Sequence, residues 1–181
     1  VTGPAPLSTA QLLGLSITRR RPVDHDPGTP TVVLVHGAMD RAASFGRSMR
    51  RMGHLDVVAY DRRGYGASVD AGPPGRIADH AADLAAVIDW TGAATVVVVG
   101  HSLGGQILPF VPNRERIKRA VTIATGSGYW RDNTPSLRWR AWWLWYVVVP
   151  IALRVAGYFP GRRLRKVGDL PRGVMAQWRR W

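Results

Sequence analysis

The 181-residue sequence contains no cysteine. This absence excludes a disulfide framework, a thiolate nucleophile and any metal site built from cysteine ligands. Residues 1–4 lack the basic and apolar regions of a secretory signal peptide, so we expect a cytoplasmic protein. Metal-ligand spacings and a G-x-G-x-x-G motif after a strand are also lacking, so the sequence implies neither a metal nor a cofactor.

Acidic residues are scarce: 12 Asp and Glu stand against 25 Lys and Arg, which gives a formal net charge of +13. Residues 129–181 hold eleven basic residues, two acidic residues and seven of the eight tryptophans. Arginine interleaved with aromatic rings is typical of nucleic-acid surfaces. These tryptophans, however, cluster with valine and leucine as a core does, so we expect no nucleic-acid partner. Basic residues beside an apolar patch also favour weak contact with a membrane surface.

No apolar run is long enough to span a membrane. The stretch 141–153 is shorter than the about 20 residues that a span needs, and Pro150 interrupts it. The rest of the chain alternates predicted strands and helices, which is typical of a parallel sheet covered on both faces. We predict strands at 12–21, 31–35, 55–60, 96–99 and 119–125, and helices at 41–52, 77–90 and 103–111.

The most informative motif is G-H-S-L-G at residues 100–104, which follows four consecutive valines. A strand that ends in G-x-S-x-G and turns at once into a helix is typical of a nucleophile elbow. Such a turn holds the hydroxyl of Ser102 out of the backbone and crowds the neighbouring positions, which must therefore be small. Gly100 and Gly104 meet this requirement, and Gly105 clears the start of the following helix.

Two more strand-end motifs lie upstream of the elbow. The apolar run 31–35 ends in H-G-A-M at residues 36–39, and the run 55–60 ends in D-R-R-G-Y-G-A-S at residues 61–68. Together the three motifs follow the order strand–H-G, strand–D-x-R-G-x-G-x-S and strand–G-H-S-x-G-G. In this order and spacing the chain resembles the α/β-hydrolase superfamily, of the serine hydrolase or esterase type, over about residues 15–125.

The resemblance implies an α/β fold, with a mostly parallel sheet, flanking helices and a Trp-rich helical cap. We expect the α/β-hydrolase core at residues 1–127 and the cap at residues 128–181, because insertions at this point in the superfamily form a helical cap over the active site. Within the predicted cap, segments 157–164 and 169–174 resemble a subgroup of uncharacterised bacterial α/β-hydrolases.

The resemblance also implies the parts of a catalytic site. Ser102 is the expected nucleophile, and the backbone N–H of Leu103, with that of Ala38 or Met39, is expected to form the oxyanion hole. Asp61 and the Arg62-Arg63 pair match a motif whose role in the superfamily is mainly structural, because it shapes the turn after its strand.

The catalytic acid and base are not evident. In this fold they follow the nucleophile, yet no histidine follows Ser102, and Asp132 and Asp169 lie in the predicted cap, where we expect surface or helix-capping roles. We expect solvated positions for His25 and His54 and a helix-face position for His80, and none of the five histidines is a strong candidate base. The simplest account is that the sequence stops before the last strands of the fold, which would carry both groups. The five histidines are His25, His36, His54, His80 and His101.

The resemblance implies hydrolysis of an ester or related acyl bond, and the apolar cap favours a small hydrophobic substrate. Because no acid or base is evident, we expect poor activity in this chain alone. The alternative is a non-catalytic α/β-hydrolase-like binding module whose basic cap contacts a membrane surface or an acidic partner. Without later strands, the strand predicted at 119–125 has an open edge, and this favours self-association into a homo-oligomer.

Overall fold

The computed structural model describes residues 7–112, 114–126, 129–165, 169–170 and 172–179. The chain divides into two compact units, residues 1–125 and residues 126–181. All the described strands of the sheet belong to the first unit, and the described helices of the second unit lie between residues 130 and 178. The assignment of residues 1–127 to a core and of residues 128–181 to a cap stays a prediction.

A six-stranded sheet forms the centre of the first unit, in the order β1-β2-β4-β3-β5-β6. The pairs β4–β3, β3–β5 and β5–β6 are parallel, so the mostly parallel sheet is confirmed. Both β3 and β4 are buried along their whole length, as expected for continuous β-branched and apolar runs in the middle of such a sheet. The strands are β1 (Leu7–Leu12), β2 (Leu15–Arg20), β3 (Thr31–Val35), β4 (Val57–Tyr60), β5 (Val96–His101) and β6 (Ile117–Ile123).

The strand predicted at residues 12–21 is present as β2 (Leu15–Arg20), but its predicted place at the edge of the sheet is wrong, because a hairpin puts β1 outside it. The strands β1 and β2 pair antiparallel, and β2 pairs antiparallel with β4. Leu13 and Gly14, which join β1 to β2, have φ values of 51° and 79°. Two consecutive left-handed residues match the twist of a tight hairpin, but leucine in such a position is rarely signalled by sequence.

The helices of the first unit lie at the predicted positions, but two of the predicted helices are partly 3₁₀ in conformation. The helix predicted at residues 77–90 is confirmed over its whole length. The one predicted at 41–52 begins as a 3₁₀ turn, and the one predicted at 103–111 ends in a 3₁₀ turn that contains Pro109, which has no N–H to continue an α-helix. The α-helices are α1 (Gly46–Arg51), α2 (Ile77–Trp90) and α3 (Leu103–Gln106).

In the second unit, three helical segments follow one another without interruption. Trp142, near the end of the first of them, stacks on Trp139 with ring centroids 5.0 Å apart and on Tyr146 with centroids 5.6 Å apart. Spacings of three and four residues place these rings on one face of the helix. No helix in the described part of the chain is long and apolar enough to cross a membrane. The segments are α4 (Pro135–Trp143), a π-helical segment (Leu144–Val148) and α5 (Val149–Val155), and α6 (Arg172–Trp178) comes later.

The strand β6 lies at the edge of the sheet, and no other described strand pairs with its outer side. Val121 is 48% exposed and Ile123 is 51% exposed. The outer side of β6 is therefore unpaired among the described residues, and self-association through this edge stays a prediction.

A buried carboxylate ties three strands together at the end of the sheet where β3 and β4 begin. Asp56, which is fully buried, accepts hydrogen bonds from Arg19 at 2.9 and 2.6 Å, from Thr31 at 2.7 Å and from Arg21 at 3.2 Å. The solvated position expected for His25 is wrong, because its side chain is only 10% exposed and its Nε2 lies 3.9 Å from Asp56. Two arginines so close to one carboxylate hold the pKa of Asp56 below its ordinary value, despite its burial.

The buried face of α2 carries a histidine among apolar residues. Ile77 and Leu84 are buried, and His80 between them is only 2% exposed. Neither ring nitrogen of His80 has a hydrogen-bond partner among the described residues. Burial, with the nearby charges of Arg62 and Arg63, lowers the pKa of His80 to about 3.

We expect His80→Leu to make folding less sensitive to acid. A histidine in the unfolded chain titrates near 6.5, whereas His80 in the folded protein titrates at about 3. The unfolded state therefore binds the proton more readily, and stability is lost as the pH falls below about 6.5. The replacement removes a slope of about 1.4 kcal/mol per pH unit from the free energy of unfolding in this range. Melting temperatures measured at pH 7 and pH 5 should lie closer together in H80L than in the wild type.

The matched control for this experiment is His54→Leu, because His54 is exposed in the loop before β4. The H54L variant should keep the wild-type difference between the two melting temperatures. An unchanged difference in H80L would contradict the role assigned to the buried imidazole.

Candidate active site

Ser102 lies at the junction between β5 and α3. Its φ of 52° and ψ of −122° are strained values for a residue with a side chain. Hydrogen bonds to the end of β6 and just beyond it hold both backbone groups of Ser102. Its N–H donates to the carbonyl of Ile123 at 2.8 Å, and its carbonyl accepts a hydrogen bond from the Thr125 hydroxyl at 3.1 Å. The sharp turn predicted from the motif is therefore present. The sequence reasoning missed Thr125, because nothing in the motif signals a bond to its hydroxyl.

Three glycines around Ser102 leave room for neighbouring atoms that come into close contact. A Cβ on Gly104 would lie 2.3 Å from the carbonyl oxygen of Val35, at the end of β3. A Cβ on Gly100 would lie 2.5 Å from Cα of Gly105, and one on Gly105 would lie 2.3 Å from Oγ1 of Thr125. Distances this short are incompatible with a side chain, so the predicted need for small residues at these positions is confirmed.

The turn after β3 lies against the elbow. A Cβ on Gly37 would come within 3.0 Å of Cβ of Ser102. Ala38 and Met39 follow directly, and Met39 has a left-handed φ of 58°. On the other side of Ser102, Leu103 is the first residue of α3, where backbone N–H groups have no partner within the helix. The structure thus brings the turn with two of the expected oxyanion-hole residues beside the serine, and their role stays a prediction.

Two buried side chains fix the position of this turn. Arg62 donates through Nε to the carbonyl of His36 at 3.0 Å and through Nη2 to the carbonyl of Gly37 at 2.8 Å. The backbone N–H of Arg62 donates to Nε2 of His36 at 2.9 Å, and Nδ1 of His36 lies 2.7 Å from the Gly37 carbonyl oxygen. Burial and the charge of Arg62 lower the pKa of His36 to about 4, so the ring is neutral at pH 7.

The structural role expected for the motif at residues 61–68 is confirmed. The carboxylate of Asp61 accepts hydrogen bonds from the N–H groups of Ala42 at 2.6 Å and of Ala67 at 2.8 Å. Arg63 forms a two-pronged ion pair with Asp83 on α2, at 2.6 and 2.5 Å. Arg62 occupies the variable position of D-x-R-G, so sequence alone does not signal its contact with the turn after β3.

None of the five histidines forms a hydrogen bond with Ser102 in the described structure. Both ring nitrogens of His36 are occupied, and His80 is buried on α2. The side chain of His101 is 41% exposed, and its Nδ1 lies 3.9 Å from Asp40. His54 is exposed, as expected. Among the described residues there is also no cluster of three or more side chains that could hold a metal ion.

We expect Gly104→Ala to disrupt the elbow, because the new Cβ would collide with the backbone of β3 and not with a movable side chain. Overpacking of this kind typically costs about 1–3 kcal/mol or more. The melting temperature should fall by several degrees, or the protein should fail to accumulate in folded form. Gly126→Ala is the matched control, since a Cβ there meets nothing within 4 Å. Equal melting temperatures for the two variants would contradict the close approach of β3 and α3.

Comparisons with known proteins agree with this geometry. The model of the Alpha/beta hydrolase family matches residues 32–181. The bifunctional esterase/perhydrolase DCH of Acinetobacter calcoaceticus is 45% identical over 71 residues, which cover 38% of this chain and 26% of that protein. Epoxide hydrolase A of Mycobacterium tuberculosis is 32% identical over 108 residues, which cover 55% of this chain and 33% of that protein.

A solved structure described as a probable hydrolytic enzyme from Pseudomonas aeruginosa PAO1 superposes with a TM-score of 0.57 at 21% identity, and the match covers 71% of this chain and 44% of that chain. At this identity the likeness concerns the fold alone. The alignments to the two curated relatives span a third or less of their own length. The family match over residues 32–181, together with the elbow and the two strand-end motifs in their expected places, shows that this chain belongs to the alpha/beta hydrolase family.

Proposed function

We propose that this chain is a serine hydrolase of the α/β-hydrolase type, which acts on an ester or related acyl bond of a hydrophobic substrate. The observation that carries this proposal is the strained backbone of Ser102 at the end of β5. Strain of this kind persists only where the surrounding structure enforces it, and it is characteristic of functional sites. A serine displayed on a strand-to-helix turn is the arrangement that nucleophilic attack requires.

In the proposed reaction, Oγ of Ser102 attacks the carbonyl carbon of the ester and the carbonyl oxygen becomes an oxyanion. The backbone N–H of Leu103, with that of Ala38 or Met39, stabilises this charge. The bond from the acyl carbon to the alkoxy oxygen then breaks, and the proton lost by the Ser102 hydroxyl reaches the departing oxygen through solvent water. This releases the alcohol and leaves the acyl group on Ser102. The curated relatives are named for ester and epoxide chemistry, so the choice of an acyl substrate rests on the serine hydroxyl.

The lack of an available histidine base for Ser102 among the described residues limits the expected rate of hydrolysis. No histidine follows Ser102 in the sequence, and His36 cannot accept a further proton without losing its bond to the N–H of Arg62. Removal of a triad member leaves about 10³–10⁴-fold catalysis over water in the best-studied enzymes. We therefore expect slow acylation of Ser102 and still slower release of the acyl group, so that an acyl-enzyme accumulates.

The test is incubation of the 181-residue chain with p-nitrophenyl butyrate, followed by mass spectrometry of its peptides. We expect a burst of p-nitrophenol that approaches one equivalent, weak turnover afterwards, and a single butyryl group on the peptide that contains Ser102. Ser102→Ala should abolish both the burst and the modification.

Ser48→Ala is the matched control, because Ser48 is exposed on α1. This variant should behave as the wild type. Butyryl groups spread over several peptides, or a burst that persists in S102A, would contradict the proposal. Fast multiple turnover that depends on Ser102 would instead contradict the expectation that an effective base is lacking.

A second candidate function is contact of the second unit with an anionic membrane surface. The observation that favours it is the exposure of apolar side chains on α5, where Ile151 is 57% and Val155 is 84% exposed, next to the exposed Arg154. On α4, Trp139 is 65% exposed and flanked by Arg138 and Arg140. Exposed apolar and basic side chains on one helical unit are typical of helices that lie at a membrane interface.

This candidate predicts sedimentation with vesicles of phosphatidylglycerol and little sedimentation with vesicles of phosphatidylcholine. Binding should weaken as salt screens the positive charge. Val155→Ser should reduce the bound fraction several-fold, whereas Val69→Ser, a matched change at an exposed valine of the first unit, should not. Equal binding to both lipids, or equal binding by the two variants, would contradict the candidate.

A further inference from the structure

The carbonyl group of Gly37 receives hydrogen bonds from two buried side chains. Nη2 of Arg62 lies 2.8 Å from the carbonyl oxygen, and Nδ1 of His36 lies 2.7 Å from it. Both side chains are fully buried. A carbonyl oxygen that accepts two hydrogen bonds restricts the rotation of its peptide group, and this peptide lies next to a serine with a strained backbone.

The neighbouring contacts determine which of these groups donate. A backbone N–H can only donate, so the bond from the N–H of Arg62 makes Nε2 of His36 an acceptor without a proton. The neutral ring then carries its proton on Nδ1, which donates to the Gly37 carbonyl. The guanidinium of Arg62 is the second donor, and hydrogen bonds from a charged group are the stronger kind.

The peptide group transmits this constraint to an N–H at the candidate site. The C=O of Gly37 and the N–H of Ala38 belong to one planar peptide, and no peptide bond in the described residues is cis. The N–H therefore points opposite to the carbonyl, and any group that fixes the carbonyl also fixes the N–H. Electron density drawn toward the guanidinium also makes the N–H a better donor. Ala38 is one of the two residues expected beside Leu103 in the oxyanion hole.

We propose that Arg62 is a positioning residue for the oxyanion hole, whose guanidinium orients and polarises the Gly37–Ala38 peptide. This proposal rests on the proposed function of Ser102. The adjacent Arg63 provides a contrast, since its guanidinium pairs with Asp83 and has no described bond to the turn after β3. Arg62 instead directs two donors to carbonyls of that turn and places its guanidinium 4.8 Å from the ring centroid of Tyr65.

The first test measures the rate constant and the ester concentration dependence of Ser102 acylation by p-nitrophenyl butyrate. Loss of a whole oxyanion-hole donor typically costs about 10²–10³-fold, so a misoriented donor in Arg62→Met should lower the acylation rate constant by about 10–10²-fold. The ester concentration that gives half-maximal acylation should stay unchanged, because the misoriented N–H weakens binding of the transition state and not of the ester itself. Arg63→Met is the matched control, which should lower the melting temperature and keep the acylation rate constant of the folded protein.

A second measurement keeps the proposal testable if R62M does not fold. Arg62→Lys retains the positive charge but loses the two-pronged guanidinium that reaches two carbonyls. This variant should shift the backbone ¹⁵N and ¹H resonances of Ala38 and lower the acylation rate. The control R63M should leave the Ala38 resonances in place. Wild-type acylation rates in both Arg62 variants, with S102A inactive, would overturn the role of Arg62 and leave the proposed function intact. Absence of acylation at Ser102 in the wild type would overturn both.

Discussion

The end of β3 and the start of α3 come so close that no side chain fits between them. The carbonyl oxygen of Val35 occupies the space that a Cβ on Gly104 would need, and Ser102 occupies the space beside Gly37. This approach brings the backbone turn after one strand against the serine at the end of its parallel neighbour. The candidate site depends on it, because both sets of backbone N–H groups belong to these two segments.

The parts of this arrangement that are encoded locally could be predicted from the sequence. The strand β3 (Thr31–Val35) is a run of β-branched and apolar residues followed by the H-G pair at residues 36–37, and the structure places it at the predicted residues. The helix α2 repeats its apolar residues every three or four positions and is also found as predicted. The glycines around Ser102 could be interpreted because their spacing reflects a steric need of the turn itself.

The remainder depends on arrangements that no short sequence pattern signals. Leu13 adopts a left-handed conformation because β1 and β2 pair across it, and leucine gives no hint of this. His25 lies beside Asp56 because the loop before β3 folds over the beginning of the sheet. The side chain of Arg62 reaches back to the turn after β3, although its position in the motif accepts many residue types. For His25 and Arg62 the partner lies far away in the sequence, and for Leu13 the residue type is unusual for its conformation, so the residue alone does not indicate the arrangement.

The strand β6 adds a constraint on precision at the site. Its last residue, Ile123, accepts the N–H of Ser102, and Thr125 just beyond it binds the serine carbonyl. The strand that anchors the serine is therefore also the outermost described strand of the sheet, and edge strands fray more readily than central ones. Any segment that pairs with the outer side of β6 would stiffen the support of Ser102 without touching the substrate. Occupancy of the sheet edge and the positional precision of Ser102, the proposed nucleophile, are thus linked.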